Sequence, residues 1–245
     1  MDNENVIEIK GLRKSFAKNE VLKNINLSLK KGENLVVLGK SGQGKSVLIK
    51  CIVAMIEPDE GSIKIFDKEI TTLGNDEELK NLRMRIGFLF QSGALYDSMT
   101  VRENLEFPLN RVLKIKDEKE IEERSKEVLE DVGLGDAMDK MPADLSGGMR
   151  KRMALARTLI EKPEIILYDE PTTGLDPITS KEISELILKT QKKFHSSSII
   201  ITHDMNCAKI TSDRIVVMNN GEFIAEGTYT ELENSNDDFT RSFFN

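Results

Sequence analysis

The chain contains no tryptophan, only two cysteines, two histidines and six prolines, and aromatic residues make up 5% of its 245 positions. Each scarcity excludes something. Cys51 and Cys207 lie far apart without a C-x-x-C spacing, which argues against a disulfide framework or a zinc knuckle and predicts two buried structural thiols in a reducing compartment. No apolar run approaches the roughly 18 residues that a membrane span requires. The opening Met1-Asp2-Asn3-Glu4-Asn5 is acidic where a secretory leader is basic. An excess of positive charge is also missing: 35 Lys and Arg face 42 Asp and Glu, a net charge of −7, which argues against a broad nucleic-acid-binding surface while leaving room for a local one. The expectation is a soluble, cytoplasmic protein of one large α/β domain, or a core with a subdomain.

What the chain does have is a glycine-rich stretch around which the rest is organised. Gly39, Lys40, Ser41, Gly42, Gln43, Gly44, Lys45 and Ser46 fit G-x-x-x-x-G-K-[ST] at every constrained position. Leu35 to Leu38 enters as a buried strand and Val47 to Met55 leaves with helical composition. Glycines at 39, 42 and 44 allow positive φ, so that backbone N–H groups close around phosphate oxygens while the helix start faces them. Lys45 adds a full charge for the β and γ phosphates, and Ser46 a hydroxyl for Mg²⁺.

Further polar residues end apolar runs. Ile86 to Phe90 stops at Gln91, Ile165 to Tyr168 at Asp169 and Glu170, and Ile199 to Thr202 at His203. Parallel sheets hold their ligands at strand carboxyl ends. Asp169 suits Mg²⁺ through its water shell and Glu170 suits orienting or deprotonating a water. His203 stands where a γ-phosphate contact would be, whereas His195 is expected to be inert. Leu145-Ser146-Gly147-Gly148 opens a helix, with Ser146 as N-cap and glycine N–H groups offering a second anion site. The adjoining Arg150-Lys151-Arg152 reads as solvent or partner contacts on an exposed face.

The remaining segments supply the frame. Val6 to Ile9 alternates as a strand, Gly11 to Phe16 reads as a turn, and Val21 to Leu29 as a second strand with Ile25, Leu27 and Leu29 on one face. Phe16 fits either a stacking platform for adenine or an ordinary half-buried aromatic. Pro58-Asp59-Glu60-Gly61 is strong turn chemistry before a strand at Ser62 to Phe66. Ser92 to Leu109 lacks clean periodicity, and Pro108 is expected to break any helix there. Asp117 to Val132 predicts an amphipathic helix capped by Asp117. Residues 92–160 therefore read as a helical subdomain inserted into a core of 1–91 and 161–245. Asn219-Asn220-Gly221 predicts a hairpin, and Phe239, Phe243 and Phe244 a terminal apolar stripe that packs back or docks a neighbour.

Taken together, the phosphate loop, Gln91, Leu145 to Gly148, Ile165 to Glu170, Leu175-Asp176 and His203 resemble the ATP-binding cassette (ABC) ATPase family over nearly the whole chain. Met149 departs from the commonest signature, which has glutamine, and Phe16 from the frequent tyrosine. Phe90 to Val101, Ser146 to Met149 and Tyr168 to Pro177 further resemble the ATPase subunit of Mce/Mla-type phospholipid-trafficking transporters. The resemblance implies an α/β fold: a P-loop NTPase (RecA-like) core, an N-terminal antiparallel β layer and an inserted α-helical subdomain. It also implies a homodimer sandwiching two ATP molecules with Mg²⁺. Phe16, the loop residues Gly39 to Ser46 and Val47 would bind nucleotide, Ser146, Gly147 and Gly148 the nucleotide of the partner subunit, and Asp176 would lie at the dimer interface. Glu170 would be the base, Lys45 and His203 would contact the γ-phosphate, Ser46 and Asp169 would position the metal, and Gln91 would sense metal and membrane partner.

The implied partners are an integral-membrane permease, docking in a groove near residues 91 to 105, and an Mce-type lipid-binding protein, with no direct nucleic acid. The implied location is the cytoplasmic face of the inner membrane. Rival readings are an ATPase subunit for another substrate or for a cell-division complex, a soluble ABC ATPase acting on nucleic acid or ribosomes, and a nucleotide-binding scaffold without turnover.

Overall fold

Four short segments are buried on every residue, and that dictates the architecture. They are β3 (Asn34–Leu38), β7 (Ile165–Asp169), β8 (Ser197–Thr202) and the inner part of β9 (Arg214–Asn219). A strand buried on both faces needs a layer on each side. The computed structural model describes residues 4–73 and 76–244; residues 1–3 of the acidic N-terminal stretch lie outside the described residues.

The remaining strands are β1 (Asn5–Phe16), β2 (Asn19–Lys30), β4 (Glu60–Ile65), β5 (Lys68–Glu69), β6 (Ile86–Leu89) and β10 (Glu222–Gly227). The helices are α1 (Lys45–Ile52), α2 (Asp76–Arg83), α3 (Val101–Arg111), α4 (Glu118–Asp131), α5 (Gly147–Leu159), α6 (Pro177–Phe194), α7 (Met205–Thr211), α8 (Tyr229–Glu233) and α9 (Asp238–Arg241). A six-stranded sheet runs β10-β9-β3-β8-β7-β6, parallel except for the β9–β10 hairpin, and an antiparallel sheet runs β2-β1-β4-β5. Side-chain alternation divides the core. Leu35, Val37, Leu167, Ile199 and Ile201 pack toward α1 and the antiparallel sheet, while Val36, Leu38, Ile166, Tyr168 and Ile200 pack toward the helical layer.

Several expectations hold in detail. Asp117 caps α4 through the N–H groups of Lys119 and Glu120, Ser146 caps α5, and Asn220 and Gly221 form the β9–β10 turn with φ of 48° and 81°. Both cysteines are buried and free, and burial pushes each thiol up to about 11. Phe243 and Phe244 pack back on the helical core, with the Phe244 ring edge-on to Tyr229 at 5.1 Å.

Others need correction. Gly11 to Phe16 is not a turn but the second half of β1. The ladder shifts register between Ile9 and Leu12, with Gly11 at φ 60° and its N–H donating to Asn26 Oδ1 at 2.9 Å. That bulge changes side-chain parity, so Leu12 stays in the core after Ile7 and Ile9. Pro108 does not break a helix either, because α3 runs through it. A capping box between Thr100 and Glu103 starts that helix, and Val101, Leu105, Pro108 and Leu109 are buried. Interior proline costs about 3 kcal/mol in an isolated helix; here the cap and apolar burial offset it. The Arg150-Lys151-Arg152 cluster, by contrast, is at the surface as expected, with Arg150 exposed and Lys151 and Arg152 half-buried. They donate to the carbonyl oxygens of Leu145, Gln91 and Val132, at 2.7, 2.5 and 3.0 Å.

Candidate functional site

The strand order explains why distant residues meet. Between β3 and β7 lies β8, with β6 outside β7, and parallel register pairs Leu38 with Thr202, Asp169 with Ile201 and Leu89 with Tyr168. The residues following these four strands therefore end in one row: the phosphate loop, His203, Glu170 and Gln91. An open cavity of about 480 Å³ faces this row, lined by Ser41 to Val47, Gln91, Glu170 and His203, together with Val21 and Thr173.

The loop is shaped by glycine for two different reasons. Gly42 and Gly44 have φ of 80° and 100°, as a left-handed backbone requires. Gly39 does not have positive φ; it is glycine because a Cβ there would sit 2.6 Å from the Met218 carbonyl oxygen. α1 begins at Lys45 after Gly44, with no side-chain capping hydrogen bond, and its N-terminal dipole faces the cavity.

The charges of this site hold one another. Lys45 Nζ donates to the carbonyls of Gly39 and Lys40 at 2.6 and 2.9 Å and lies 3.4 Å from Glu170 Oε1, with only 4% of its side chain exposed. Glu170 Oε2 is 2.8 Å from His203 Nδ1 and accepts from the Thr173 hydroxyl at 3.3 Å. Glu170 itself has φ 52°, a left-handed conformation that costs a non-glycine residue roughly 1–2 kcal/mol. Its N–H is tied to the Ile201 carbonyl at 2.9 Å, so the strain is maintained by the neighbouring strand end.

Ser46 Oγ donates to Asp169 Oδ1 at 2.9 Å. Burial pushes the Asp169 carboxyl above its usual range, against the opposing pull of the Ser46 hydrogen bond, while the neighbouring Glu170 charge adds to the rise. A divalent cation would relieve that unfavourable burial. The donors are hard oxygens, which fits Mg²⁺, and among the described residues no group of three or more His, Cys, Asp or Glu forms a cage. Mg²⁺ suits this arrangement because it takes one or two protein oxygens and completes its shell with water and phosphate.

Ser146, Gly147 and Gly148 do not line this cavity. They line a second one of about 590 Å³, together with Leu175, Asp176 and Thr179, and the two cavities share no lining residue. Asp176 is the N-cap of α6, accepting from the N–H groups of Ile178 and Thr179 at 3.1 Å and from the Thr179 hydroxyl at 2.6 Å. Those Thr179 hydrogen bonds hold its carboxyl below the usual range. A Cβ on Gly148 would meet Thr179 Cγ2 at 2.6 Å, so the starts of α5 and α6 touch directly.

Phe16 lines neither cavity. It stands 47% exposed at the β1–β2 turn, paired with Asn19. A third cavity of about 360 Å³ is a groove with β6 and Phe90, Ala94 and Tyr96 on one wall and Ala154 and Arg157 of α5, with Glu161 just beyond that helix, on the other. Of the stretch 91 to 105 expected to form a groove, Gly93, Ala94 and Tyr96 line this cavity, and Val101 to Leu105 lie in α3. Arg157 stacks over Tyr96 at 4.4 Å and donates to the Ala94 carbonyl.

Sequence reasoning left three contributors without a role: Thr173 on Glu170, the direct pairing of Glu170 with His203, and Thr179 between the two helix starts. Thr173 lies three residues beyond Glu170 in a turn, which was a usable signal. The Glu170–His203 contact depends on β7 and β8 being neighbours, which no local pattern reveals.

Comparison with known proteins agrees with this geometry. Residues 22–173 match the family model described as ABC transporter. The methionine import ATP-binding protein MetN 4 of Oceanobacillus iheyensis is 41% identical over 230 residues, covering 92% of this chain and 66% of that protein. The probable ribonucleotide transport ATP-binding protein mkl of Mycobacterium leprae is 39% identical over 239 residues, covering 98% of this chain and 68% of that one. The chain thus spans about two thirds of the length of these relatives. Among solved structures, a dimeric post-hydrolysis state of the ATP-binding cassette MJ0796 bound to ADP and Pi matches with a TM-score of 0.81 and 34% identity, over 91% of this chain and 98% of that one. The cbiO1 structure from Clostridium perfringens, part of an ABC transporter complex, matches with a TM-score of 0.83 and 31% identity, over 92% and 89%. The relatives named here carry methionine and ribonucleotide in their names, so the Mce/Mla phospholipid resemblance narrows to the broader family. With its phosphate loop, its row of strand ends and these matches, the chain belongs to the ABC transporter family, as an ATPase cassette of α/β P-loop fold that uses ATP and Mg²⁺.

Proposed function

We propose that this cassette is the ATP-hydrolysing subunit of a membrane transporter and acts as a homodimer, with ATP held between the phosphate loop of one copy and the Ser146-Gly147-Gly148 helix start of the other. The observation that carries the reading is the separation of the two cavities. One has Lys45, Glu170 and His203, while the other is built on the starts of α5 and α6, and the two have no lining residue in common. Phosphoryl transfer needs both kinds of contact, since it depends on positioning and on neutralising charge over the transferred group.

Within each composite site, Lys45 turns from Glu170 and the loop carbonyls toward the β and γ phosphates, and His203 contacts the γ-phosphate. Glu170, released from Lys45, orients and deprotonates the attacking water. Ser46 and Asp169 hold Mg²⁺, with Gln91 facing the same space; the ion, when bound, neutralises charge on the β and γ phosphate oxygens. Phe16 offers its ring to the adenine, and Asp176 braces the interface by fixing the start of α6. Residues 92–160 act as the helical unit that carries the signature against a core of 1–91 and 161–245.

The groove between β6 and α5 fits a helix of a separate permease, its apolar floor and the Arg157–Glu161 rim matching an amphipathic segment. No described helix is long and apolar enough to cross a membrane, so the permease supplies the path and brings the cassette to the cytoplasmic side of the inner membrane. The names of the relatives favour import of a small polar solute as the cargo reading. A second reading, phospholipid movement with an Mce-type partner, is favoured by the strings Phe90 to Val101 and Tyr168 to Pro177.

Affinity purification of the chain from its native membranes, with mass spectrometry of co-purifying proteins and lipids, tests the proposal. The expected result is a multi-span permease with a solute-binding component. An Mce-type protein with bound phospholipid would move the cargo to the second reading, and ribosomes or nucleic acid in place of a permease would overturn the transport role.

A further inference from the structure

The Pro58-Asp59-Glu60-Gly61 turn is the strongest turn motif in the sequence that the proposed reaction does not use. It lies at the entry to β4, where that strand meets the far end of β1. Gly61 has φ 93°, and a Cβ there would sit 2.6 Å from the Gly11 carbonyl, so the two backbones touch. This close approach delivers Asp59 to the last residues before Phe16. The Asp59 N–H donates to the Arg13 carbonyl at 2.9 Å, Asp59 Oδ2 accepts the Ser15 N–H at 2.6 Å, and Asp59 Oδ1 accepts Lys14 Nζ at 2.7 Å. Three consecutive residues of β1 are thereby fixed by one residue of another strand connection.

Lys14 is the informative member. Its side chain is only 16% exposed, and its ammonium sits over the Phe16 ring at 5.6 Å from the centroid. One face of the ring is backed by a cation that Asp59 holds, while 47% of Phe16 remains open to solvent. The platform is also registered to the phosphate site. Phe16 pairs with Asn19, and two residues further Val21 lines the phosphate cavity, its carbonyl lying where a Gly44 Cβ would come within 2.7 Å.

We propose that Asp59 is a positioning residue for nucleobase binding: through Lys14 and the Ser15 N–H it fixes which face of Phe16 is open and at what height above the phosphate loop. The inference rests on the reading of Phe16 as the base platform. Asp59 touches neither base nor phosphate, so its removal acts on the base half of the ligand alone.

Equilibrium binding of ATP and of inorganic tripolyphosphate to the purified full-length chain separates the possibilities, using Phe16→Ala, Asp59→Ala, Lys14→Met and the Phe16→Ala/Asp59→Ala pair. Phe16→Ala is expected to weaken ATP roughly tenfold, the size of one base stack. Asp59→Ala and Lys14→Met are expected to weaken it roughly threefold, within the range of a modest aromatic contact. Tripolyphosphate affinity stays unchanged in all of them, and the double variant binds ATP no worse than Phe16→Ala alone. Lys14→Met leaves the Ser15 tie in place, which guards against a general failure of β1. Equal weakening of ATP and tripolyphosphate by Asp59→Ala, or additive losses in the double variant, would overturn the positioning role while leaving Phe16 as the platform. Unchanged ATP binding by Phe16→Ala would overturn the platform reading and the inference with it.

Discussion

The phosphate-loop end and the signature end of this chain are built on opposite principles. At the first, Lys45 pairs with Glu170, Glu170 with His203 and Ser46 with Asp169, and Lys45, Asp169 and Glu170 are buried while His203 stays open to solvent. At the second, Ser146 and Gly147 are exposed, and the two carboxylates at the rim are committed, Asp176 to capping α6 and Glu182 to Arg152 at 2.8 Å. The neighbouring Ile178 is 74% exposed, a large apolar side chain presented beside an open cavity. The first end has charges and strain but needs a second wall; the second is a wall whose charges are already committed, Asp176 to the start of α6 and Arg152 to Glu182. An account in which each chain holds half of two sites follows from that contrast.

Breaking the charged end should have the largest effect. Glu170→Gln removes the base while keeping the shape, and hydrolysis should fall by about 10²–10⁴-fold with ATP still bound, measured by steady-state phosphate release alongside equilibrium nucleotide binding. Turnover near the wild-type rate would remove Glu170 from the chemistry. Lys45→Ala comes next. It deletes a charge-assisted contact worth about 1.5–3 kcal/mol, so ATP affinity itself should drop roughly ten- to a hundredfold by calorimetry.

Breaking the open end should separate binding from turnover. Gly148→Val drives a side chain into Thr179, which a bare Cβ already approaches to 2.6 Å. Overpacking of this kind costs about 1–3 kcal/mol, visible as a lower midpoint in thermal melts, and hydrolysis should be lost while nucleotide binding to the phosphate loop persists. Ser146→Ala has the smallest expected effect on stability. Losing the hydrogen bond from the Met149 N–H costs about 1 kcal/mol, and the sharper signal should again be turnover without a change in ATP affinity. Loss of ATP affinity in either variant, at low protein concentration, would place the signature in the same half-site as Lys45.

The two ends were also unequally legible in the sequence. The glycine loop, Gln91, Asp169, Glu170 and His203 could be read because each is a polar interruption of an apolar run, and parallel strands expose their carboxyl ends in a row. Their pairings could not be read. Lys45 with Glu170 and Glu170 with His203 are set by the order β3-β8-β7, which brings β3 beside strands more than a hundred residues further along the chain. Gly39 was legible as a glycine but not for the right reason, since its constraint is the Met218 carbonyl on β9, not its own φ.

At the signature end, the Ser146 cap is local and was visible, whereas the contact of Gly148 with Thr179 joins two helix starts and was not. The helix through Pro108 was missed because a residue that breaks helices in isolation sits inside one whose cap and buried face outweigh it. Gly11 hid the length of β1 for a related reason: a bulge looks like a turn until the partner strands are known.

The central claim is that a working site exists only between two copies of the chain. Sedimentation velocity of Glu170→Gln, with and without Mg·ATP, tests it most directly when wild-type hydrolysis per chain is followed over the same concentration series. The account predicts a monomer that becomes a dimer when Mg·ATP is added, and a specific activity that rises with concentration until the dimer is saturated. A chain that stays monomeric with ATP bound, and hydrolyses it at a rate per chain independent of concentration, would contradict it.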